Sequence, residues 1–433
     1  MTPAVKTSGS LAVALRVAAE ALACVRGGQA LDEALRVIGP GLSTPDRAAA
    51  QDIAYSACRR FNLLDALAAA LMKKPNPPVD FLLRAALSEL IAHPERAHTI
   101  VDQAVTAASD IANGAFKPLV NGVLRSFLRD RDAQLTQANS TEAIRLGYPQ
   151  WWIDRVRAVW PAHWEALLDA GNQRAVMTLR ANLKRGTVEQ LQIELSDAGV
   201  AAHRTGESAI TLEKPQPAAR LPGFAEGRVS VQDLGAQQAA QLLGVEAGMR
   251  VLDACAAPGG KTAHILERID CDLTALDRDV TRLDTVRANL HRLGLHAVCH
   301  AADAAKPDTW WDGALFDRVL LDAPCTASGV IARHPDGKWL KRARDIAQLA
   351  RLQAQLLAAL WQVLKPGGKL LYATCSVFPE ENTRQIDAFV TAHPDARLLS
   401  PSFDTAYPLS CVGAQLLPGS LHGGFYYALL EKH

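Results

Sequence analysis

The chain has 433 residues, enough for roughly two to four domains. Its 46 Lys and Arg balance 45 Asp and Glu to a formal net charge of +1, with 49% apolar and 21% charged residues. Those figures exclude a mostly disordered chain, a collagen-like fibre, a small disulfide scaffold and a uniformly basic coat for nucleic acid, and they leave room for an enzyme that meets RNA through a locally basic surface. No stretch reaches the roughly 18 uninterrupted apolar residues of a membrane span, so no membrane partner is expected. The start, Met1 to Leu15, lacks the basic, apolar and cleavable segments of a secretory leader. The eight cysteines, Cys24, Cys58, Cys255, Cys271, Cys299, Cys325, Cys375 and Cys411, form no CxxC pair. They predict a cytoplasmic chain with reduced thiols, most of them packed as small apolar groups.

Residues 1–140 read as an all-α domain. LAVALRVAAEALACV spaces its apolar residues at helical period around Arg16 and Glu20. Thr44-Pro45 marks a helix start, with Thr44 as cap and Pro45 in the first turn, and the helix continues through Ala54, Tyr55 and Cys58. Pro75-Asn76-Pro77-Pro78 breaks the pattern, and FLLRAALSELIA, VDQAVTAASDIA and PLVNGVLRSFLR follow as further helical segments. Residues 141–235 read as a small α/β connector module. Trp151, Trp152, Trp160 and Trp164 fall in helices, where tryptophan is more often core than a platform for RNA bases. VMTLRANL and AITLE then alternate as short strands around a helical VEQLQIELSDAG. Residues 236–433 repeat strand, loop and helix, from RVLDACAAPGGKTAHILERI through DLTALDRD, AVCHAADA and FDRVLLDAPC to KLLYATCS. That alternation predicts a C-terminal α/β Rossmann-like domain with a mostly parallel, doubly wound sheet.

The strongest local pattern is an apolar strand running into Ala254-Cys255-Ala256-Ala257-Pro258-Gly259-Gly260 and then into a helix. Small residues let backbone amides approach a ligand, and a helix N-terminus favours negative charge. Asp277 closes the next strand, where a carboxylate can accept hydrogen bonds from ribose hydroxyls, and Asp303 lies just past the third strand. The loop is neither a P-loop, which would need glycine at Cys255, nor a GxGxxG dinucleotide fingerprint.

Two further strand ends carry thiols: Leu321-Asp322-Ala323-Pro324-Cys325 and Ala373-Thr374-Cys375-Ser376. A cysteine alone at such a place is more often inert core, but two of them beside Asp322 and the small-residue loop make candidate nucleophiles. Two thiols without matching His or Cys spacing make a poor zinc set, so no metal is expected. A disulfide is disfavoured in a reducing compartment.

DACAAPGGKT, DAPCTASGV and YATCSVFPEEN resemble the motifs of the RNA (cytosine-5) methyltransferases that use S-adenosylmethionine. The resemblance covers roughly the last 200 residues, and the all-α start resembles the RNA-binding antitermination factor NusB at the level of pattern. It implies a cytosine of 16S rRNA as target and S-adenosylmethionine as cofactor. It implies that Ala254 through Gly260 line the methionine and ribose part of that cofactor, with Asp277 on the ribose hydroxyls, Asp303 at the adenine end and Asp322 near the methyl donor and the base. Cys375 is then the nucleophile, and Cys325 the second thiol that assists breakdown of the adduct. Lys261 matches the family's motif lysine in position. A Pro-Cys nucleophile also occurs in DNA cytosine-5 methyltransferases, by which analogy Cys325 would attack; the Thr-Cys-Ser element at Cys375 favours the RNA pattern.

The chemistry needs such residues. Cytosine C5 is a poor nucleophile until a thiolate adds at C6, so covalent catalysis divides one hard step into easier ones. The target base must also leave its stack. From Arg333 to Arg351 six Lys and Arg accompany two Asp, a stretch suited to phosphate contacts, with Trp339 able to stack or pack. Arg145, Arg155, Arg157, Arg174, Arg180, Lys184 and Arg185 form a second basic region. A non-catalytic RNA-binding factor, or an enzyme that methylates a small molecule or a protein, are the competing readings. A monomer is the default expectation.

Overall fold

The computed structural model describes residues 10–72, 74, 76–400, 403 and 409–433, so the readings of the first nine residues and of Pro75, and the side chain of Cys411, lie outside the described residues. Two compact units divide the chain. One runs through Asn172 and takes in Arg333–Arg342; the other holds Gln173–Ala332 and Ala343–His433.

The first unit is helical: α1 (Leu11–Arg26), α2 (Leu31–Ile38), α3 (Thr44–Arg59), α4 (Phe61–Leu71), α5 (Pro77–Ala92), α6 (Ala97–Ala107) and α7 (Lys117–Arg129), followed by α8 (Arg131–Ala138), α9 (Glu142–Leu146), α10 (Gln150–Val159) and α11 (Trp164–Asn172). Helix α1 packs against α3, α5 and α6. Its buried Ala14, Ala18 and Ala21 let those helices approach closely, and Leu15 and Leu22 fill the remaining space. Helix α3 starts at Thr44, but its cap is Ser43, one residue before the expected Thr44. Ser43 has extended backbone, and its Oγ accepts from the Asp46 amide at 3.2 Å. Of the tryptophan cluster, Trp152 is buried in the core beside Tyr148.

The second unit begins with the connector: β1 (Met177–Ala181), α12 (Val188–Asp197), β2 (Ala202–Arg204), β3 (Ala209–Leu212) and β4 (Val229–Val231). The strands form an antiparallel sheet in the order β2-β3-β1-β4, with Leu179 opposite both Ile210 and Val231. A reciprocal cap starts α12: Thr187 Oγ1 accepts from the Gln190 amide, and Gln190 Oε1 accepts from the Thr187 amide.

The larger sheet follows α13 (Leu234–Leu242): β5 (Arg250–Ala254), α14 (Gly260–Arg268), β6 (Asp272–Asp277), α15 (Val280–Leu293), β7 (Val298–Ala301) and β8 (Phe316–Asp322). The chain then gives Arg333–Arg342, with the one-turn helix α16 (Gly337–Leu340), to the helical unit. It resumes with α17 (Ala343–Gln362), β9 (Leu364–Thr374), α18 (Thr383–Ala392), β10 (Ala396–Leu399), β11 (Leu409–Cys411), β12 (Gly413–Leu416) and β13 (Phe425–Lys432). The order is β11-β12-β13-β9-β8-β5-β6-β7, with β10 paired to β13. Strands β5 to β9 pair in parallel, whereas β13 joins β9 antiparallel and makes the sheet mixed. The chain winds outward from β5 to β7 and restarts on the other side of β5 with β8. The switch point between β5 and β8 is where doubly wound sheets hold ligands, beyond the carboxyl ends of the strands.

Candidate active site

The small-residue loop leaves β5 at Ala254 and enters α14 at Gly260. It turns tightly: Cys255 has φ 62° and Gly259 φ 92°. A Cβ on Gly259 would stand 3.1 Å from the Cα of Val286 on α15, so glycine lets the loop lie against that helix. Side chains hold the loop from behind. Arg282 Nη2 donates to the Ala257 carbonyl and Asn289 Nδ2 to the Pro258 carbonyl, both at 3.0 Å, and Arg180 Nη1 donates to the Gly260 carbonyl at 2.8 Å. Asp277, at the end of β6, accepts from the Ala257 amide at 3.1 Å and the Asp279 amide at 3.0 Å. It thus organises the loop while its oxygens keep lone pairs for a ligand. Asp303, two residues past β7, is about half exposed and accepts from the Ala305 amide.

Asp253 is fully buried at the centre of this arrangement. Its Oδ2 accepts from the Thr262 hydroxyl at 2.6 Å, and its Oδ1 has no hydrogen-bond partner. Burial, reinforced by the charges of Asp322 and Asp277 and opposed by Thr262 and Lys261, pushes its carboxyl up to about 7. An orphaned acceptor beside a bare loop and a carboxylate-ended strand fits a cofactor that carries hydroxyl or ammonium donors. Asp253 opens the DACAAPGGKT motif, one residue before the loop assigned to the cofactor. Cys255 is a poor nucleophile: burial, then the charges of Asp322, Asp277 and Asp253, push its thiol up to about 12.

Strand β8 delivers Asp322 and, three residues on, Cys325; β9 delivers Cys375. The two sulfur atoms lie 3.4 Å apart. Hydrogen bonding to Cys375, then burial and the charges of Cys375 and Glu381, hold the Cys325 thiol well above its usual range. Lys261, in the first turn of α14, donates to Asp322 Oδ2 at 2.5 Å. Burial pushes the ammonium down, but the charge and hydrogen bond of Asp322, with the charges of Cys375 and Asp253, outweigh it and keep the lysine protonated. Gly329 ties the loops together: its amide donates to the Cys375 carbonyl at 2.8 Å, and its carbonyl accepts from the Gly424 amide at 2.6 Å. A Cβ on Gly329 would stand 2.3 Å from the Gly424 carbonyl oxygen. Every sequence-assigned residue from Ala254 to Gly260, together with Asp277, Asp303, Asp322, Cys325 and Cys375, thus lies in or just beyond the carboxyl ends of neighbouring strands of one sheet.

Within the two basic stretches Lys338 and Arg180 are buried, whereas Lys184, Arg185, Arg342, Arg344 and Arg351 are exposed. Lys338 is fully buried in the helical unit, where its Nζ donates to Asn172 Oδ1 at 2.7 Å and to the Arg59 carbonyl at 3.1 Å, above the Tyr148 ring. Trp339 donates from Nε1 to the Cys58 carbonyl at 2.6 Å and packs edge-on against Phe61. Arg180 is 1% exposed and paired with Glu267 at 2.7 Å, and Lys184 pairs with Asp270 at 2.5 Å. Sequence reading also passed over Glu381, which is buried between the two thiol loops; its signal was the second acid of the PEEN run already singled out. Among the described residues no group of three or more His, Cys, Asp or Glu is placed to hold a metal ion, and no helix is long and apolar enough to cross a membrane.

A doubly wound sheet with a small-residue loop at its switch point, preceded by an antiparallel connector sheet and a helical unit, defines a Rossmann-like ligand-binding domain with two accessory modules. Comparison with known proteins carries this to a family. Residues 240–431 match the family described as 16S rRNA methyltransferase RsmB/F, residues 148–219 the ferredoxin-like domain of RsmF/B-like methyltransferases, and residues 13–129 the NusB family. The ribosomal RNA small subunit methyltransferase B of Vibrio cholerae is 45% identical over 413 residues, covering 94% of each chain. The solved structure of PH0851 aligns over 99% of this chain and 100% of its own, with a TM-score of 0.79 and 26% identity. A methyltransferase homolog from Pyrococcus horikoshii aligns over 67% of this chain and 97% of its own, with a TM-score of 0.60 and 29% identity. The chain belongs to the 16S rRNA methyltransferase RsmB/F family.

Proposed function

We propose that this protein, acting as a cytoplasmic monomer, methylates C5 of a cytosine in 16S rRNA with S-adenosylmethionine as donor, through a covalent adduct between Cys375 and C6 of the base. The supporting observation is the thiol pair, with Cys325 and Cys375 3.4 Å apart beside the small-residue loop. When bound, S-adenosylmethionine supplies an electrophilic methyl on a sulfonium. The Ala254–Gly260 loop would line its methionine and ribose, Asp277 would take the ribose hydroxyls, Asp303 would face the adenine end, and the orphaned Asp253 Oδ1 would accept a further donor.

The Cys375 thiolate forms a bond to C6 and the C5–C6 π pair becomes available at C5; the charge developing toward N3 is neutralised by a proton taken up there, which hydrogen-bonds to Asp322, itself held in place by Lys261. C5 takes the methyl as the methyl–sulfur bond breaks, and the bonding pair stays on the former sulfonium sulfur, which leaves as a neutral thioether. A base then removes the C5 proton; its electrons re-form the C5–C6 double bond and the C6–sulfur bond breaks, releasing Cys375. Cys325, held protonated in its resting state, assists this release by exchanging a proton with the leaving sulfur. The same protonation disfavours Cys325 as the attacking group. The helical and connector modules serve to bind the rRNA around the target.

Incubation of wild type, Cys375→Ala and Cys325→Ala with unmodified 16S rRNA and labelled S-adenosylmethionine tests the reading. Wild type is expected to label cytosine C5. Cys375→Ala is expected to give neither product nor adduct, and Cys325→Ala to accumulate a denaturant-stable protein–RNA adduct. The reverse pattern would overturn the assignment of the two thiols.

A further inference from the structure

A fully buried carboxylate that the chemistry above does not use joins the two thiol loops. Glu381, just before α18, is inaccessible to solvent. Its Oε1 accepts from the Thr326 amide at 2.9 Å and from Gln353 Nε2 at 3.2 Å; its Oε2 accepts from the Thr326 hydroxyl at 2.6 Å and the Ser376 hydroxyl at 2.5 Å. Thr326 directly follows Cys325, and Ser376 directly follows Cys375. Gln353 also donates to the carbonyl of Pro324, the residue before Cys325, at 2.8 Å. The backbone of Glu381 is itself fixed, because Tyr372 on β9 donates from its hydroxyl to the Glu381 carbonyl at 2.6 Å. One side chain therefore touches the residue after each thiol and, through Gln353, the residue before one of them.

The requirement for such a clamp is physical. Cys375 is the first residue past β9, whereas Cys325 sits three residues past β8 in a loop outside regular structure, with Ala327 at φ 56°. A thiol on an unsupported loop does not hold a 3.4 Å approach to its partner, and small misplacement of a reacting group is expensive in rate. A buried carboxylate is itself costly unless hydrogen-bonded, and burial does push Glu381 above the usual carboxylate range despite its four donors. Nothing else in the reaction requires a buried acid at this place.

We propose that Glu381 is a positioning residue that fixes the Cys325 loop against the Cys375 loop and so sets the rate at which the adduct resolves. This deepens the covalent reading above and rests on it. In Glu381→Ala the Thr326 amide loses its acceptor and the Thr326 and Ser376 hydroxyls keep only each other and Ser328 as acceptors, at 3.1–3.3 Å, so the Cys325 loop drifts relative to Cys375, one residue past β9. In Glu381→Gln the amide oxygen still accepts from the Thr326 amide, and the amide nitrogen donates to the two hydroxyls, so the clamp survives with its hydroxyl protons turned.

The test is steady-state kinetics on 16S rRNA with trapping of the adduct, on the full chain. Glu381→Ala is expected to lower kcat about 100-fold with KM for RNA and S-adenosylmethionine within about twofold, and to lengthen adduct lifetime; Glu381→Gln is expected to recover turnover to within about tenfold of wild type. A folded Glu381→Ala with wild-type kcat, a loss confined to KM, or a Gln variant as poor as the Ala variant would each overturn the proposal. Should Glu381→Ala fail to fold, Thr326→Val removes one hydroxyl at nearly constant shape. It is expected to lower kcat about tenfold with the same lengthening of adduct lifetime, and full turnover in that variant overturns the clamp. Wild type that forms no adduct at all would refute the covalent reading itself, separately from the clamp.

Discussion

Burial takes the Asp253 carboxyl from 3.8 in an unfolded chain to about 7 in the fold, and the sign of that shift has a measurable consequence. Below pH 3.8 both states hold the proton and this carboxyl's contribution to native stability is at its full value. Between 3.8 and 7 the unfolded chain releases its proton while the native one keeps it, so stability falls as pH rises, by an amount on the order of a few kcal/mol before levelling above 7. Asp253→Asn is expected to flatten that slope in urea unfolding measured from pH 4 to 8. It is also expected to weaken S-adenosylmethionine binding at least about tenfold by calorimetry, because the orphaned Oδ1 is no longer a carboxylate acceptor. Identical pH slopes for variant and wild type would show that the carboxyl is not held protonated. At this scale the sequence made the residues with motif signatures visible: Cys325, Cys375, Asp322 and the Ala254–Gly260 loop. Glu381 stayed hidden because its role depends on meeting Thr326, 55 residues earlier, inside the core. Only the fold creates that meeting.

Strands and helices were legible where their pattern is one-sided. The connector's VMTLRANL, VEQLQIELSDAG and AITLE gave β1, α12 and β3 because Thr178, Arg180 and Thr211 alternate with apolar neighbours in the strands and the helix keeps a helical period, although both strands are buried almost throughout. Strand β13 escaped because it is buried along nearly its whole length and so shows no alternation. Arg180 shows the same limit within β1. It was grouped with exposed basic residues, but its guanidinium makes two bonds to Glu267 on α14, at 2.7 and 2.8 Å, with both side chains at most 2% exposed. The partner lies 87 residues away. This buried pair links the connector sheet to the helix that opens from the cofactor loop. Arg180→Ala leaves a buried charge uncompensated and is expected to cost about 3–5 kcal/mol in denaturant unfolding. The double variant Arg180→Met with Glu267→Met removes both charges and is expected to recover most of that loss. A double variant no more stable than Arg180→Ala would mean that lost packing, rather than the unpaired charge, sets the cost.

On the scale of the whole chain, sequence order and structural unit part company between Ala332 and Ala343. Counted along the chain, Arg333–Arg342 follows the first thiol motif and looks like a basic edge of the active site. In space it belongs to the helical unit. Asp336 Oδ2 accepts from the Leu31 amide at 2.9 Å, Lys338 reaches Asn172, and Trp339 reaches Cys58. A run of Lys and Arg reports charge but not where the chain goes, so these partners, up to 305 positions distant in sequence, were beyond reach. The same geography explains why a net charge of +1 says little about RNA affinity, since Lys338 and Arg180 count as positive charges that never meet solvent. Trp339→Ala is a change within the second half of the sequence whose damage should appear in the first. Half-buried and hydrogen-bonded, Trp339 is expected to contribute about 2 kcal/mol, less than the roughly 3–5 of a fully buried tryptophan. Hydrogen exchange on the full chain reads the location of that loss. Protection is expected to fall at the Leu31 amide and along α3 near Cys58, and to hold in β5, β8 and β9. Loss of protection in β8 and β9 instead would mean that the segment is energetically part of the catalytic sheet, and its assignment to the helical unit would be wrong.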